Sequence, residues 1–166
     1  MIREVSGDIL LSKAQILVHG VAPHDHFDNG LALALRQRWP VMVRDFRHHC
    51  HQSNPKPGGL WSWGGVGGVR IINLLTQEPA PSKSSKPRKA TLPNINHCLR
   101  ELRKLIETEG IKSVALPRLA TGVGGLEWDD VRAEVVSHLG DLKIPVFVYT
   151  TYRSGVAADE ELAASS

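Results

Sequence analysis

A glycine-rich turn held between an apolar run and an acid-led helix constrains this chain more than any other feature. The residues run Ala115-Leu116-Pro117-Arg118-Leu119-Ala120-Thr121-Gly122-Val123-Gly124-Gly125-Leu126-Glu127-Trp128. Ile111 to Leu116 reads as a buried strand, and Glu127, Asp129 and Asp130 open the helix that follows. Glycines let backbone approach a ligand closely and adopt positive φ. Free N–H groups and the helix dipole at such a junction favour an anion. The loop is therefore expected to hold a phosphate or diphosphate. The alternative is a tight turn whose glycines serve geometry alone.

A second loop of the same kind lies upstream. Ile16 to Val21 is a short apolar run with the look of a buried strand. Ala22-Pro23-His24-Asp25-His26-Phe27-Asp28-Asn29-Gly30 follows as a polar loop. From Leu31 the spacing turns helical and runs to Trp39, where Pro40 stops it. Val41 to His51 is a second helical piece. Met1 to Val5 is a first strand, and Ser6 to Leu11 a turn and short segment. Leu60 to Trp63 and Val69 to Leu75 read as two strands joined by a glycine-rich turn, a hairpin. Gln77 to Lys89 is rich in Pro, Ser and Lys and reads as a mobile surface loop. Ile95, Leu99, Leu102, Leu105 and Ile106 make one face of a helix over Leu92 to Thr108, which Gly110 caps. A further helix runs from about Asp129 to Leu139, and Val146 to Tyr149 is the last strand. The stretch after Tyr152 reads as a frayed tail.

Strands alternating with helices imply an α/β fold, a three-layer α/β/α sandwich with a mixed central sheet over residues 1–152 and a flexible tail over 153–166. In such sheets ligands sit beyond the carboxyl ends of strands. Both loops follow a strand directly, so two anion-binding turns would flank one cleft. The 166 residues suit one domain, and the 42% hydrophobic content a globular one. Two cysteines, Cys50 and Cys98, make no disulfide framework, and no stretch is long enough to span a bilayer. A cytoplasmic protein with no membrane partner is the expectation.

The sequence resembles a macrodomain from Ile2 to about Thr151. The marks are Gly7-Asp8-Ile9-Leu10 after the first strand, Asn29-Gly30-Leu31-Ala32 entering the first helix, and Leu116-Pro117 with Gly122-Val123-Gly124-Gly125-Leu126-Glu127-Trp128. The last resembles the branch holding the terminal ADP-ribose protein glycohydrolase of vertebrates and the bacterial antitoxins that strip ADP-ribose from DNA. The resemblance implies an ADP-ribose cleft. Asp8 would accept from the adenine amino group and the Ile9 backbone would read the ring; Asp8 as a cap of its own turn is the alternative. Arg118, Thr121, Gly122, Val123, Gly124 and Gly125 would wrap the diphosphate. Asn29, Gly30 and Leu31 would line the distal ribose. Tyr152, or Tyr149, would stack on adenine, with Tyr149 equally readable as core.

The chain departs from that branch at the catalytic lysine, whose place is taken by Gln77 in Asn73-Leu74-Leu75-Thr76-Gln77. An amide cannot act as a charged nucleophile. The branch's glycine-loop aspartate aligns with Gly124, and an asparagine of the second strand with His19. Catalysis is expected instead from positioned water, with Asp28 or His26 placing it and Asn29 and Thr121 holding the ribose. The substrate expected is protein carrying ADP-ribose on glutamate or aspartate, an ester that needs little beyond positioned water and stabilised charge. The other readings are a non-catalytic ADP-ribose reader and an ADP-ribosyl-DNA hydrolase. Nucleic acid is the less favoured partner, because Lys83 to Lys89 lacks aromatics to stack bases. His48-His49-Cys50-His51 and the His24/His26 pair do not match a structural zinc spacing, so no metal is expected. No cofactor is expected, and a monomer is.

Overall fold

In the computed structural model, residues 1–82 and 84–162 are described. Six strands form one sheet: β1 (Ile2–Gly7), β2 (Ile16–Val21), β3 (Leu60–Gly64), β4 (Arg70–Leu75), β5 (Val114–Pro117) and β6 (Val146–Tyr152). The four α-helices are α1 (Gly30–Arg38), α2 (Pro40–Ser53), α3 (Leu92–Glu109) and α4 (Trp128–Leu139). The spatial strand order is β1-β6-β5-β2-β4-β3. All neighbours are parallel except the β3–β4 hairpin. The sheet is therefore mixed, as the strand–helix alternation implies.

Consecutive residues of each central strand face opposite layers, because side chains alternate across a pleated strand. Val18, Ile72, Leu116 and Val148 join one buried cluster with α3 and α4. Their neighbours Leu17, Ile71, Ala115 and Phe147 join the other, with α1 and α2. Both faces are covered, so the strands read as continuous apolar runs. On α3 the buried residues are Ile95, Cys98, Leu99, Leu102 and Ile106, the periodic face expected for it. Gly110 ends that helix at φ 63, a left-handed conformation favouring glycine. Pro40 starts α2 at its first position, where its missing N–H has no helical partner to lose. Among the described residues, no helix is long and apolar enough to cross a membrane.

Three sequence expectations change. Ile111 lies outside β5, and its N–H closes the end of α3 on Ile106 O. The segment 77–90 is not structureless. Its stem is a short antiparallel pairing, with a Gln77–Ala90 bridge and bonds from Glu78 N to Lys89 O and from Arg88 N to Glu78 O. Lys83 falls outside the described residues. The stretch after Tyr152 docks rather than frays as far as residue 162: Glu160 is buried, and Ala158 and Leu162 pack on the α1–α2 cluster. Residues 163–166, expected to belong to the tail, fall outside the described residues.

Candidate ligand cleft

β2 and β5 are parallel neighbours, so their carboxyl ends open on one edge of the sheet. The loops that follow them, 22–29 and 118–127, wall a single cleft of about 560 Å³. His26, Asp28 and Asn29 come from the first loop, and Arg118, Gly122, Val123 and Gly124 from the second. Both loops hold non-glycine residues in the left-handed region: His24 and Phe27 at φ 59 in one, and Ala120 at φ 59 in the other. Such residues cost of order 1–3 kcal/mol each and persist only where surroundings over-determine them. In the first loop the surroundings are visible. Asp25 accepts from Ala22 N at 2.9 Å and from Phe27 N at 2.8 Å, and Phe27 is fully buried beneath.

The N-terminus of α1 opens into this cleft. Gly30, Leu31 and Ala32, its first turn, all line the wall. The N-cap Asn29 makes no side-chain capping bond, so the orphan N–H groups of the turn are left for a ligand or water. The glycine loop faces them. Gly124 is buried there, and a Cβ built on it would sit 2.6 Å from Ala120 O. No side chain fits this position, so an acidic group could not occupy it without rebuilding the turn. Ala90 N donates to Gly124 O, and the Lys89 methylenes lie against Gly125, which ties the 77–90 hairpin to the loop.

A second hollow, of about 370 Å³, shares Gly30, Leu31 and Pro117 with the cleft. Its other walls are Gly7, Ile9, Ala34, Tyr149 and Tyr152. It is an apolar slot with two aromatic rings, and Tyr152 is 60% exposed and so free to meet a ligand face. Asp8 lies between two lining residues but does not itself line either hollow. Its Oδ1 accepts from Leu10 N at 3.0 Å, and its Oδ2 from Gly155 N at 2.9 Å. The capping role is thus realised, while each carboxylate oxygen keeps a second lone pair.

At the floor of the larger cleft sit His19 and Gln77. His19 is buried and bonds through Nε2 to Asn73 Oδ1; burial pushes its pKa down to about 4, against the opposing pulls of the Asn73 bond and the Asp25 charge. It is neutral there at pH 7. Gln77 Nε2 donates to Arg88 O at 3.2 Å. Ser84, Ser85, Lys86 and Pro87 of the hairpin tip complete the wall. Composition alone reads this segment as solvated, and its place on the cleft comes from pairing with distant residues. Lys86, Arg88, Lys89 and Arg118 enter no ion pair among the described residues.

Most residues singled out from sequence thus meet at one edge. Asp28, His26, Asn29, Gly30, Leu31, Arg118, Gly122, Val123 and Gly124 line the cleft, and Ile9 and Tyr152 the adjoining hollow. Thr121 and Gly125 do not line either: Thr121 Oγ1 donates back to Arg118 O, and Gly125 N to Gly122 O, both within their own turn. Asp28 also pairs with Arg36 at 2.7 Å in an exposed ion pair, and Arg36 holds His26 O. The histidine run on α2 disperses. His49 stacks on Trp61 while Cys50 is fully buried. Among the described residues no three His, Cys, Asp or Glu side chains gather to hold an ion.

Several known proteins are similar to this chain. The family model described as "Macro domain" matches residues 18–135. The DNA ADP-ribosyl glycohydrolase of Mycobacterium tuberculosis is 33% identical over 142 residues, covering 82% of this chain but 38% of that protein. The chain therefore spans under half the length of that relative. An ADP-ribose 1''-phosphate phosphatase of Chaetomium globosum is 27% identical over 87% of this chain and 88% of its own. Among solved structures, the macrodomain of Mycobacterium tuberculosis DarG superimposes with a TM-score of 0.78 at 28% identity, covering 90% of this chain and 97% of that one. By this match over most of its length, and by its six-stranded sheet, the chain belongs to the macro domain family.

Proposed function

We propose that this chain binds ADP-ribose in the cleft and hydrolyses the bond joining it to a modified macromolecule. The observation that carries the reading is the facing of the α1 N-terminus and the glycine loop across one cleft, with an aromatic slot at one end. Backbone N–H groups from both sides suit a diphosphate. The slot lined by Ile9 and Tyr152 suits a purine, with Asp8 the adjacent residue whose carboxylate keeps lone pairs for an amino group. The distal ribose then points to His26, Asp28 and Asn29. The activities for which the relatives are named, on ADP-ribosyl-DNA and on ADP-ribose 1''-phosphate, share that ligand.

Gln77 cannot form a covalent adduct with the sugar, so the step is attack by water on the anomeric carbon. His26 or Asp28 takes the proton of that water, the bond to the attached group breaks, and the leaving group gains a proton. The diphosphate site holds the sugar in place and screens its charge. The attached group is read first as a DNA base. Lys86 and Arg118 line the cleft without ion-pair partners and suit a phosphate backbone, and the similar DNA-acting enzymes support the same reading. A glutamate or aspartate ester is the second reading, favoured by the amide at Gln77, because that labile bond requires no cationic nucleophile.

A linkage panel tests both. ADP-ribose attached to single-stranded DNA, glutamate, serine and arginine is incubated with the chain, and free ADP-ribose is measured. Release from DNA, lost in Asp28→Ala or His26→Ala while binding is kept, supports the first reading; release from glutamate alone supports the second. Tight binding with no release from any linkage would make the chain a reader and overturn hydrolysis.

A further inference from the structure

The chain after β6 bends back onto the end of β1 and the turn after it. Arg153 N donates to Gly7 O at 3.0 Å, and Asp8 N donates to Val156 O at 2.7 Å. Gly155 N donates to Asp8 Oδ2 at 2.9 Å. The approach is close enough that a Cβ on Gly7, at φ +155, would lie 2.7 Å from Ala158 N. Further on, Glu160 is 8% exposed and fully engaged. Its Oε2 accepts from Ser12 Oγ and from Tyr149 OH, both at 2.6 Å, and its Oε1 from Lys13 N at 2.9 Å.

These bonds join two elements that both line the slot. Ser12 caps the 3₁₀ turn Ile9–Leu11, which carries Ile9. Tyr149 belongs to β6, which also carries Tyr152. A buried carboxylate stays in place only while its oxygens are satisfied, and charge-assisted bonds of this length are among the stiffer ones available. Ala158 and Leu162 seat the segment on the α1–α2 cluster. Residues 153–162 therefore hold Gly7, Asp8, Ile9 and Tyr149 in one fixed relation.

We propose that Glu160 is a positioning residue for nucleobase recognition. By clamping the Ile9 turn to β6 it sets the spacing of Ile9 and Tyr149 in the slot, and with the Gly155 N–H bond the segment fixes the Asp8 carboxylate beside Ile9, where a base seated in the slot would meet it. The inference rests on the reading that this slot takes the adenine of ADP-ribose. A purine bearing an amino group is accepted and one bearing a carbonyl at the same carbon is rejected, because the carboxylate then meets an acceptor in place of a donor.

Calorimetry separates this from a merely structural role. The full chain is titrated with ADP-ribose and with its hypoxanthine counterpart, and the ratio of the two affinities is compared with that of Glu160→Ala. The expected wild-type ratio is about tenfold or more in favour of adenine, the usual worth of a hydrogen bond to a charged group. In Glu160→Ala the ratio falls toward one. Loss of stability alone would lower the melting temperature and both affinities while leaving the ratio unchanged. Should Glu160→Ala fail to fold, Glu160→Gln keeps the volume and one acceptor oxygen, and its ratio falls severalfold. A folded variant that discriminates as the wild type does overturns the clamp. A wild-type chain that binds neither nucleotide overturns the ligand reading itself, a different and recognisable outcome.

Discussion

Acidification should destabilise this protein through His19, and by an amount the structure allows to be worked out. The imidazole lies on β2 between Leu17 and Val21, 2% exposed, bonded to Asn73 and 5.7 Å centroid to centroid from Phe27. Its pKa falls from the ordinary 6.5 to about 4, chiefly through burial. The unfolded chain takes up a proton at the higher pH, so the contribution to stability is complete above 6.5 and is lost as the pH falls toward about 4. Across that window each pH step of one costs roughly 1 kcal/mol, so lowering the pH to 5.5 costs roughly 1 kcal/mol and to 4.5 roughly 2–3 kcal/mol. Against a typical total of about 5–15 kcal/mol this is a large share. The assay is urea unfolding at pH 7.5, 6.5, 5.5 and 4.5 for the wild type and for His19→Asn, which keeps a polar side chain but does not titrate. Every other carboxylate and histidine is common to both proteins and cancels in the comparison. The wild type should lose roughly 2–3 kcal/mol more than the variant between pH 7.5 and 4.5. Parallel stability curves would refute the buried neutral imidazole.

Two further outcomes follow from packing. Gly124→Ala places a methyl group 2.6 Å from Ala120 O and 2.8 Å from Ala120 Cα, both backbone atoms. The loop must shift, at a cost of about 1–3 kcal/mol, and ADP-ribose affinity should drop with it; an unchanged melting temperature and affinity would show the turn to be loose. Cys98 is buried on α3, and burial pushes its pKa up to about 12, while burial also raises that of Cys50. Neither thiol should react with a chromogenic disulfide reagent at pH 8 until urea is added, and rapid reaction of the folded chain would contradict their placement.

Much of this architecture is legible in the chain. Ile16 to Val21, Ile71 to Leu75 and Val146 to Tyr149 are largely apolar stretches, and each lies within a strand that is mostly buried. The 3.6-residue spacing on α3, its Gly110 cap and Pro40 at the head of α2 are local signals with local causes. The glycine loop and the loop from Ala22 are both visible as turns after strands. That they wall the same cleft follows from the parallel pairing of β2 with β5, whose registers join Ile16 to Val114 and Leu17 to Ala115. No periodicity encodes that pairing.

The two segments misread from composition fail for one reason. Gln77 to Lys89 is polar and aperiodic, yet Ala90 N reaches Gly124 O and Gln77 meets Arg88, so the hairpin tip comes to the cleft. Glu160 sits among Ala and Glu residues that look solvated, yet its partners Ser12 and Lys13 lie 148 and 147 residues away. The sequence by itself determined which stretches are strands and helices and where backbone turns sharply, because those depend on neighbours within a few positions. Which loops share a rim, which polar side chains are buried and what each one bonds to were decided by tertiary structure, since the burial of a charge is tolerated only where distant groups supply its hydrogen bonds.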